Sequence, residues 1–188
     1  MEPFDPVKAR DRLHDLFTKQ AVKWGKFTLA SGSQSDFYID CKEVSLTGEG
    51  LWLIGNLVLD RLLPSVVGVG GLTLGADPIA CSAALIAHSR GRELAAFIVR
   101  KEAKGHGTTK VVEGLNALPK GSDVTIVEDV ITTGGSALVA VNRASEARLH
   151  VTQVVGLVDR EEGGRAEIEK RGIKVDAIFK RTDFSREA

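Results

Sequence analysis

The run Val124-Thr125-Ile126-Val127-Glu128-Asp129-Val130-Ile131-Thr132-Thr133-Gly134-Gly135-Ser136 decides how this chain folds. Residues 124–127 are apolar or β-branched throughout, the pattern of a strand covered on both faces. Two adjacent carboxylates, Glu128 and Asp129, follow where that strand is expected to end. A Thr-Thr-Gly-Gly-Ser turn comes next and opens a helix near Ser136. In an open α/β sheet, ligands bind just beyond the carboxyl ends of the strands. The turn supplies backbone N–H groups, the hydroxyls of Thr132, Thr133 and Ser136, and a helix N-terminus, a set suited to a phosphate dianion. The carboxylates would repel that phosphate. They suit a ribose diol, whose hydroxyls need acceptors, or a Mg²⁺ between sugar and diphosphate. The segment is neither a P-loop nor a dinucleotide fingerprint, because the glycine spacings of both are missing. The plainer alternative is a strand that ends in acidic residues before a glycine-containing turn.

A second segment leaves a strand in the same way. Residues 94–99, Leu-Ala-Ala-Phe-Ile-Val, read as a buried strand and run into Arg100-Lys101-Glu102-Ala103-Lys104-Gly105-His106-Gly107-Thr108-Thr109-Lys110. Cations, a histidine and two glycines at this density make a poor strand and a poor helix, so the segment reads as a mobile loop. A solvated basic hairpin is the bland reading. The functional one is a lid whose cations neutralise a leaving group that gains negative charge. Arg offers a forked contact to phosphate oxygens, Lys a point charge and His a proton donor near neutral pH.

The acidic run resembles the phosphoribosyl diphosphate (PRPP) signature of type I phosphoribosyltransferases, and the spelling Arg-Lys-x-x-Lys-x-His-Gly is similar to the catalytic loop of the orotate phosphoribosyltransferases. Gly25-Lys26-Phe27-Thr28-Leu29-Ala30-Ser31-Gly32 with Ser35-Asp36-Phe37-Tyr38-Ile39-Asp40 resembles that family's N-terminal segment, part of a hood over the base. Val66-Val67-Gly68-Val69-Gly70-Gly71 resembles its diphosphate-receiving turn, and Asp159-Arg160-Glu161-Glu162-Gly163-Gly164 its orotate-contacting segment. The resemblance implies that Glu128 and Asp129 hold the ribose hydroxyls, and that Val130, Ile131 and the residues Thr132, Thr133, Gly134, Gly135 and Ser136 hold the 5′-phosphate side of PRPP. It implies that Arg100, Lys101, Lys104 and His106 meet the diphosphate, with Lys104, His106 and Asp129 as the catalytic set. Thr132 and Arg160 would contact orotate, Arg160 as a bidentate partner of its carboxylate; the alternative for Arg160 is a surface ion pair with Glu161 or Glu162. Mg²⁺ would be the cofactor, held mainly by PRPP, with no protein ligand assigned. In that family the lid of one subunit closes over the site of its dimer partner. Two departures stand out. Several members carry a lysine where Ala30 stands, and some carry another where this chain has Gly75 or Ala76; Lys26 or Lys42 are the candidates to substitute.

Composition agrees with a compact enzyme. The chain has 188 residues, 43% of them hydrophobic, and 25 basic residues balance 25 acidic ones. Zero net charge argues against nucleic acid as a partner. No apolar run approaches the roughly 20 residues of a spanning helix, and the N-terminus lacks a signal-peptide plan, so no membrane partner is expected. Two cysteines, Cys41 and Cys81, point to a reducing cytoplasmic setting; Cys81, among Ile79, Ala80, Ala83 and Ala84, reads as a small core residue. Helices are expected over 6–22, with Val7, Leu13, Leu16 and Phe17 on one face, over 48–63 with Thr47 as N-cap, and near 77–89, 136–147 and 165–170. Asp77-Pro78 gives the cue for the third of these. Strands are expected near 66–69, 94–99, 124–127 and 154–158, with a last apolar stretch at 175–179. Strand–helix alternation argues a parallel sheet. The expectation is an α/β, type I phosphoribosyltransferase fold, a central mostly parallel sheet flanked by helices with a small N-terminal hood and a mobile catalytic loop, in a single domain over residues 1–188. The expected activity is transfer of ribose 5-phosphate from PRPP to orotate. A purine phosphoribosyltransferase and a PRPP-binding regulator are the alternatives.

Overall fold

The computed structural model describes residues 4–28, 34–102 and 110–185. The chain opens with α1 (Pro6–Leu16), whose N-cap Asp5 accepts hydrogen bonds from the Val7 and Lys8 amides, with Pro6 in the first turn. Its buried stripe is Ala9, Leu13 and Leu16, continued by Phe17. Val7 lies two positions from Ala9, about 200° around the helix, and is 67% exposed rather than part of that stripe. The α-helical part ends at Leu16, but helical turns continue to Ala21, one residue short of the expected stretch. A π turn (Phe17–Ala21) carries the chain into β1 (Val22–Thr28), which pairs antiparallel with β2 (Gln34–Ile39).

After a short α2 (Lys42–Ser45), Thr47 caps α3 (Gly48–Leu59) by accepting from the Gly50 amide. That helix stops four residues before the expected Leu63. Then come β3 (Gly68–Leu72), α4 (Ala76–Ser89), β4 (Ala95–Val99), a two-residue β5 (Val112–Glu113), β6 (Asp123–Ile131), α5 (Gly135–Glu146), β7 (His150–Asp159), α6 (Gly164–Glu169) and β8 (Lys174–Lys180). Helix α4 opens at Ala76, so Asp77 sits inside its first turn instead of capping it, and accepts from the Thr73 hydroxyl at 2.6 Å. Gly70 and Gly71 belong to β3 and not to a turn. Added Cβ atoms there would lie 2.2 Å from the Phe97 carbonyl oxygen and 2.1 Å from that of Val127, so the neighbouring strands leave room only for glycine.

The main sheet runs β5-β4-β3-β6-β7-β8, parallel except where β5 pairs antiparallel with β4. Helices cover both faces. One side of the core joins α1, α3 and α4 to Val127, Val155 and Leu157; the other joins α5 and α6 to Ile126, Ile131 and Val154. This explains the apolar runs: neighbours such as Ile126 and Val127 point to opposite faces and both are buried. Among the described residues, no helix is long and apolar enough to cross a membrane.

Candidate active site

Strand β6 extends to Ile131, pairing with Asp159 of the ten-residue β7, so the adjacent carboxylates lie within the strand and not after it. Side chains alternate along a strand. The two carboxylates nevertheless stay neighbours, because both the charge of Asp129 and a side-chain hydrogen bond to it act on the Glu128 carboxyl. Strict alternation breaks at this point: Ile126 and Ile131 pack on the α5 side, whereas Val127 and Val130 pack on the α4 side. Glu128 lines a small recess with Val130, Ile131, Thr132, Gly134, Gly135, Ser136 and Ala137. Gly134 has φ 84°, and no side chain caps the α5 N-terminus behind it. The first N–H groups of that twelve-residue helix therefore have no side-chain acceptor. Thr133, Gly135 and Ser136 are exposed, whereas the Ile131 side chain is in the core. The Ile131 carbonyl accepts from the Arg160 amide and that of Thr132 from the Gly164 amide, tying the turn to the end of β7.

The Asp129 carboxylate rests on the Gly75 backbone; a Cβ added at Gly75 would lie 2.3 Å from Asp129 Oδ2. The Val130 amide donates to Asp129 Oδ1 at 2.9 Å, and the buried Cys41 thiol faces the Asp129 carbonyl. A lysine at position 75 has no space beside Asp129 as placed. Of the two candidate substitutes, Lys42 is paired with Asp40 at 2.6 Å, and Lys26 lines the neighbouring pocket around Arg160.

Glu128 is 6% exposed, and its Oε2 finds no hydrogen-bond partner among the described residues. Burial first, and the Asp129 charge second, hold its carboxyl well above the usual value of 4.5, while the Lys101 ammonium pulls partly back. An acid raised in this way keeps its proton in the folded chain after the unfolded chain has lost it, so stability falls as pH rises from about 4.5 towards the folded value. Glu128→Gln is expected to raise Tm over the wild type, with a gap that is absent below about pH 4 and widens through about pH 5–7. Thermal unfolding at stepped pH checks this; a gap that does not change with pH would rule out burial of the charge as its cause.

Arg160, at the end of β7, is buried and not a surface residue. It pairs with Glu162 at 2.9 Å, and the same terminal nitrogen donates to Ser35 Oγ at 2.9 Å and the Phe37 carbonyl at 3.3 Å. It opens into a pocket of about 790 Å³ lined by Lys26, Gln34, Ser35, Asp36, Glu161, Glu162 and Arg181. Arg181 pairs with Asp36 at 2.6 Å. Neither Arg181 nor Gln34 carried a signal in the sequence: Arg181 and Asp36 are 145 residues apart, and only the packing of the β1–β2 hairpin against the C-terminal segment joins them. Arg100 and Lys101 stand at the end of β4, Arg100 paired with Glu113 across the loop base at 3.1 Å. Lys104, His106 and Ala30 lie outside the described residues.

Among the described residues, no group of three or more His, Cys, Asp or Glu side chains could hold a metal by itself. The pair at β6 fits an ion that brings its own ligands, since Mg²⁺ is commonly bound through one or two carboxylates plus substrate phosphates.

No protein-family model matches the chain. It is 48% identical over 93% of its length, and 92% of the relative's, to an orotate phosphoribosyltransferase of Thermosynechococcus vestitus. The chain belongs to the orotate phosphoribosyltransferase family. A family member from Sorangium cellulosum is 46% identical, covering 93% of this chain and 92% of its own. The crystal structure of Mycobacterium tuberculosis orotate phosphoribosyltransferase in complex with PRPP matches with a TM-score of 0.74 at 33% identity, over 93% of this chain and 98% of that one. The chain is thus an enzyme of the type I phosphoribosyltransferase fold, as the resemblance implied. An adenine phosphoribosyltransferase of Leishmania donovani, at 16% identity and a TM-score of 0.64, shares the fold alone.

Proposed function

We propose that this chain transfers the ribosyl 5-phosphate of PRPP to orotate, giving orotidine 5′-monophosphate and diphosphate. The observation that carries the reading is the uncapped α5 N-terminus, flanked by the buried Glu128 on one side and the Arg160 pocket on the other. The 5′-phosphate takes the α5 N–H groups and the hydroxyls of Thr132, Thr133 and Ser136. Glu128 and Asp129 accept from the ribose hydroxyls, and Arg100, Lys101, Lys104 and His106 meet the diphosphate. Thr132 and Arg160 meet orotate. Mg²⁺, when bound, neutralises diphosphate charge; the residues that would share it are Glu128 and Asp129. Substitution at the anomeric carbon then needs no nucleophilic side chain, only positioning and charge complementarity.

We read the chain as one domain over residues 1–188 whose hood is the β1–β2 hairpin closed by Phe184, which packs near Phe37. We further infer a homodimer with shared sites, in the cytoplasm. Exposed Trp52 and Leu85, which line an apolar groove of about 500 Å³ between α3 and α4, support a second copy there, and both cysteines are free, in keeping with a reducing compartment.

Turnover with PRPP when orotate, uracil, adenine and hypoxanthine are offered separately tests the function. Orotate alone should react; turnover of a purine in its place would overturn the assignment. Base selection has its own test. Arg160→Ala should raise the orotate KM about 10- to 150-fold, the scale of one charge-assisted hydrogen bond, with a much smaller effect on the PRPP KM. Because Arg160 also holds Ser35 and Phe37, Arg160→Lys is the companion variant: it keeps the charge and loses the fork. Equal shifts in both KM values would remove Arg160 from the orotate site.

A further inference from the structure

Arg143 lies one face of α5 away from the phosphate turn, eight residues into the helix that the turn opens. Its half-buried guanidinium reaches across to the end of β4, where one terminal nitrogen donates to the Arg100 carbonyl and the other to the Lys101 carbonyl at 2.9 Å. Two successive carbonyls thus sit in one planar fork, an arrangement that fixes peptide orientation as well as position. The same stretch is held from other directions by the Arg100 amide, which donates to the Val111 carbonyl at 2.8 Å, and by the Arg100–Glu113 ion pair. Lys101, exposed beyond the fork, is near enough to Glu128 to act on its charge.

We propose that Arg143 is a positioning residue for the PRPP site: it fastens the backbone of Arg100 and Lys101 to α5, so that the cations bound for the diphosphate are set relative to the helix bound for the 5′-phosphate. Both ends of one substrate are thereby referred to a single rigid element. A strap made of backbone contacts keeps the loop base in register without using either cationic side chain, and Lys101 stays exposed for an anion while Arg100 pairs with Glu113. This rests on the proposed function for the identity of the anion, and not for the strap itself.

Arg143→Met keeps the unbranched stem and removes the fork; Arg143→Lys keeps a charge that reaches one carbonyl at a time. Two measurements on the full chain decide the matter. First, tryptic cleavage after Arg100 and Lys101 in the absence of substrate, read by mass spectrometry, should speed up about tenfold or more in Arg143→Met, because cleavage follows the population of the released backbone. Arg143→Lys should lie between. Second, kcat/KM for PRPP should fall about tenfold in Arg143→Met with the orotate KM within about twofold. The fall should shrink to under about twofold when Lys101→Ala is already present, since a residue acting through Lys101 cannot add to its loss. Unchanged cleavage overturns the strap, and additive losses with Lys101→Ala overturn its purpose. A wild type without orotate turnover would remove the proposed function while the cleavage result still judged the strap.

Discussion

Asp129→Asn will retain the wild-type Tm to within a few degrees and lose about two orders of magnitude in kcat/KM for PRPP. The structural side follows from geometry. The Val130 amide donates to Oδ1, which an asparagine also offers, and the side chain is only half-buried. The functional side follows from donor counting. A carboxylate is acceptor-only and can take both hydroxyls of a diol; an amide turns a donor towards one of them. Losing one charge-assisted hydrogen bond costs about 1.5–3 kcal/mol, or roughly 10- to 150-fold. The cradle supplies an independent variant. Gly75→Ala keeps the carboxylate but places a Cβ where Asp129 Oδ2 now lies, 2.3 Å away, so the carboxylate must move. Gly75→Ala should therefore lower kcat/KM for PRPP with Asp129 intact, and the two substitutions together should cost less than the product of their separate effects. Full activity of Asp129→Asn with unchanged Mg²⁺ dependence would exclude the side chain from ribose and metal binding.

The parts legible in the sequence were those written locally. A strand buried on both faces shows as an apolar run: the runs at 124–127 and 154–158 fall within β6 and β7, and that at 94–99 starts one residue before β4. Thr47 is a cap because its hydroxyl oxygen serves an amide three residues on, whereas the Asp5 cap carried no expectation and is seen only in the structure. Misreadings arose where a short motif was stopped too soon or a periodicity was judged by composition. Ending the strand at Val127 hid that both carboxylates lie inside β6, and a period of two carried on from Val127 would put Ile131 on the α4 side, whereas it packs with Ile126 on the α5 side. Cys81 has small apolar neighbours in sequence, but the buried set of α4 is Ala76, Ile79, Ala80, Ser82, Ala83 and Ala87, and Cys81 is exposed and lines the α3–α4 groove with Leu85. Arg143 could not have been found at all. Its partners are 42 and 43 residues away and are carbonyl groups, which every residue carries.

Mixed dimers should regain activity that neither parent has. The proposed lid cation Lys104 and the proposed ribose ligand Asp129 sit on separate segments, at 100–110 and on β6, so one subunit can supply either part to its partner. Lys104→Ala disables the lid and Asp129→Asn the PRPP loop, and each homodimer should be nearly inactive. Refolded together in equal amounts, half of the dimers pair one variant with the other. If lids act across the interface, each mixed dimer holds one site with both parts intact and one with both defective, and activity returns to about a quarter of wild type for random pairing in a two-fold dimer. If each lid serves its own subunit, every site in every dimer carries one defect and nothing returns. Differently tagged subunits, purified in tandem, establish that mixed dimers have formed, and turnover of the purified mixed species should then stand at about half of wild type. Inactive mixed dimers would assign the whole site to one chain, while subunits that never co-purify would remove the dimer itself.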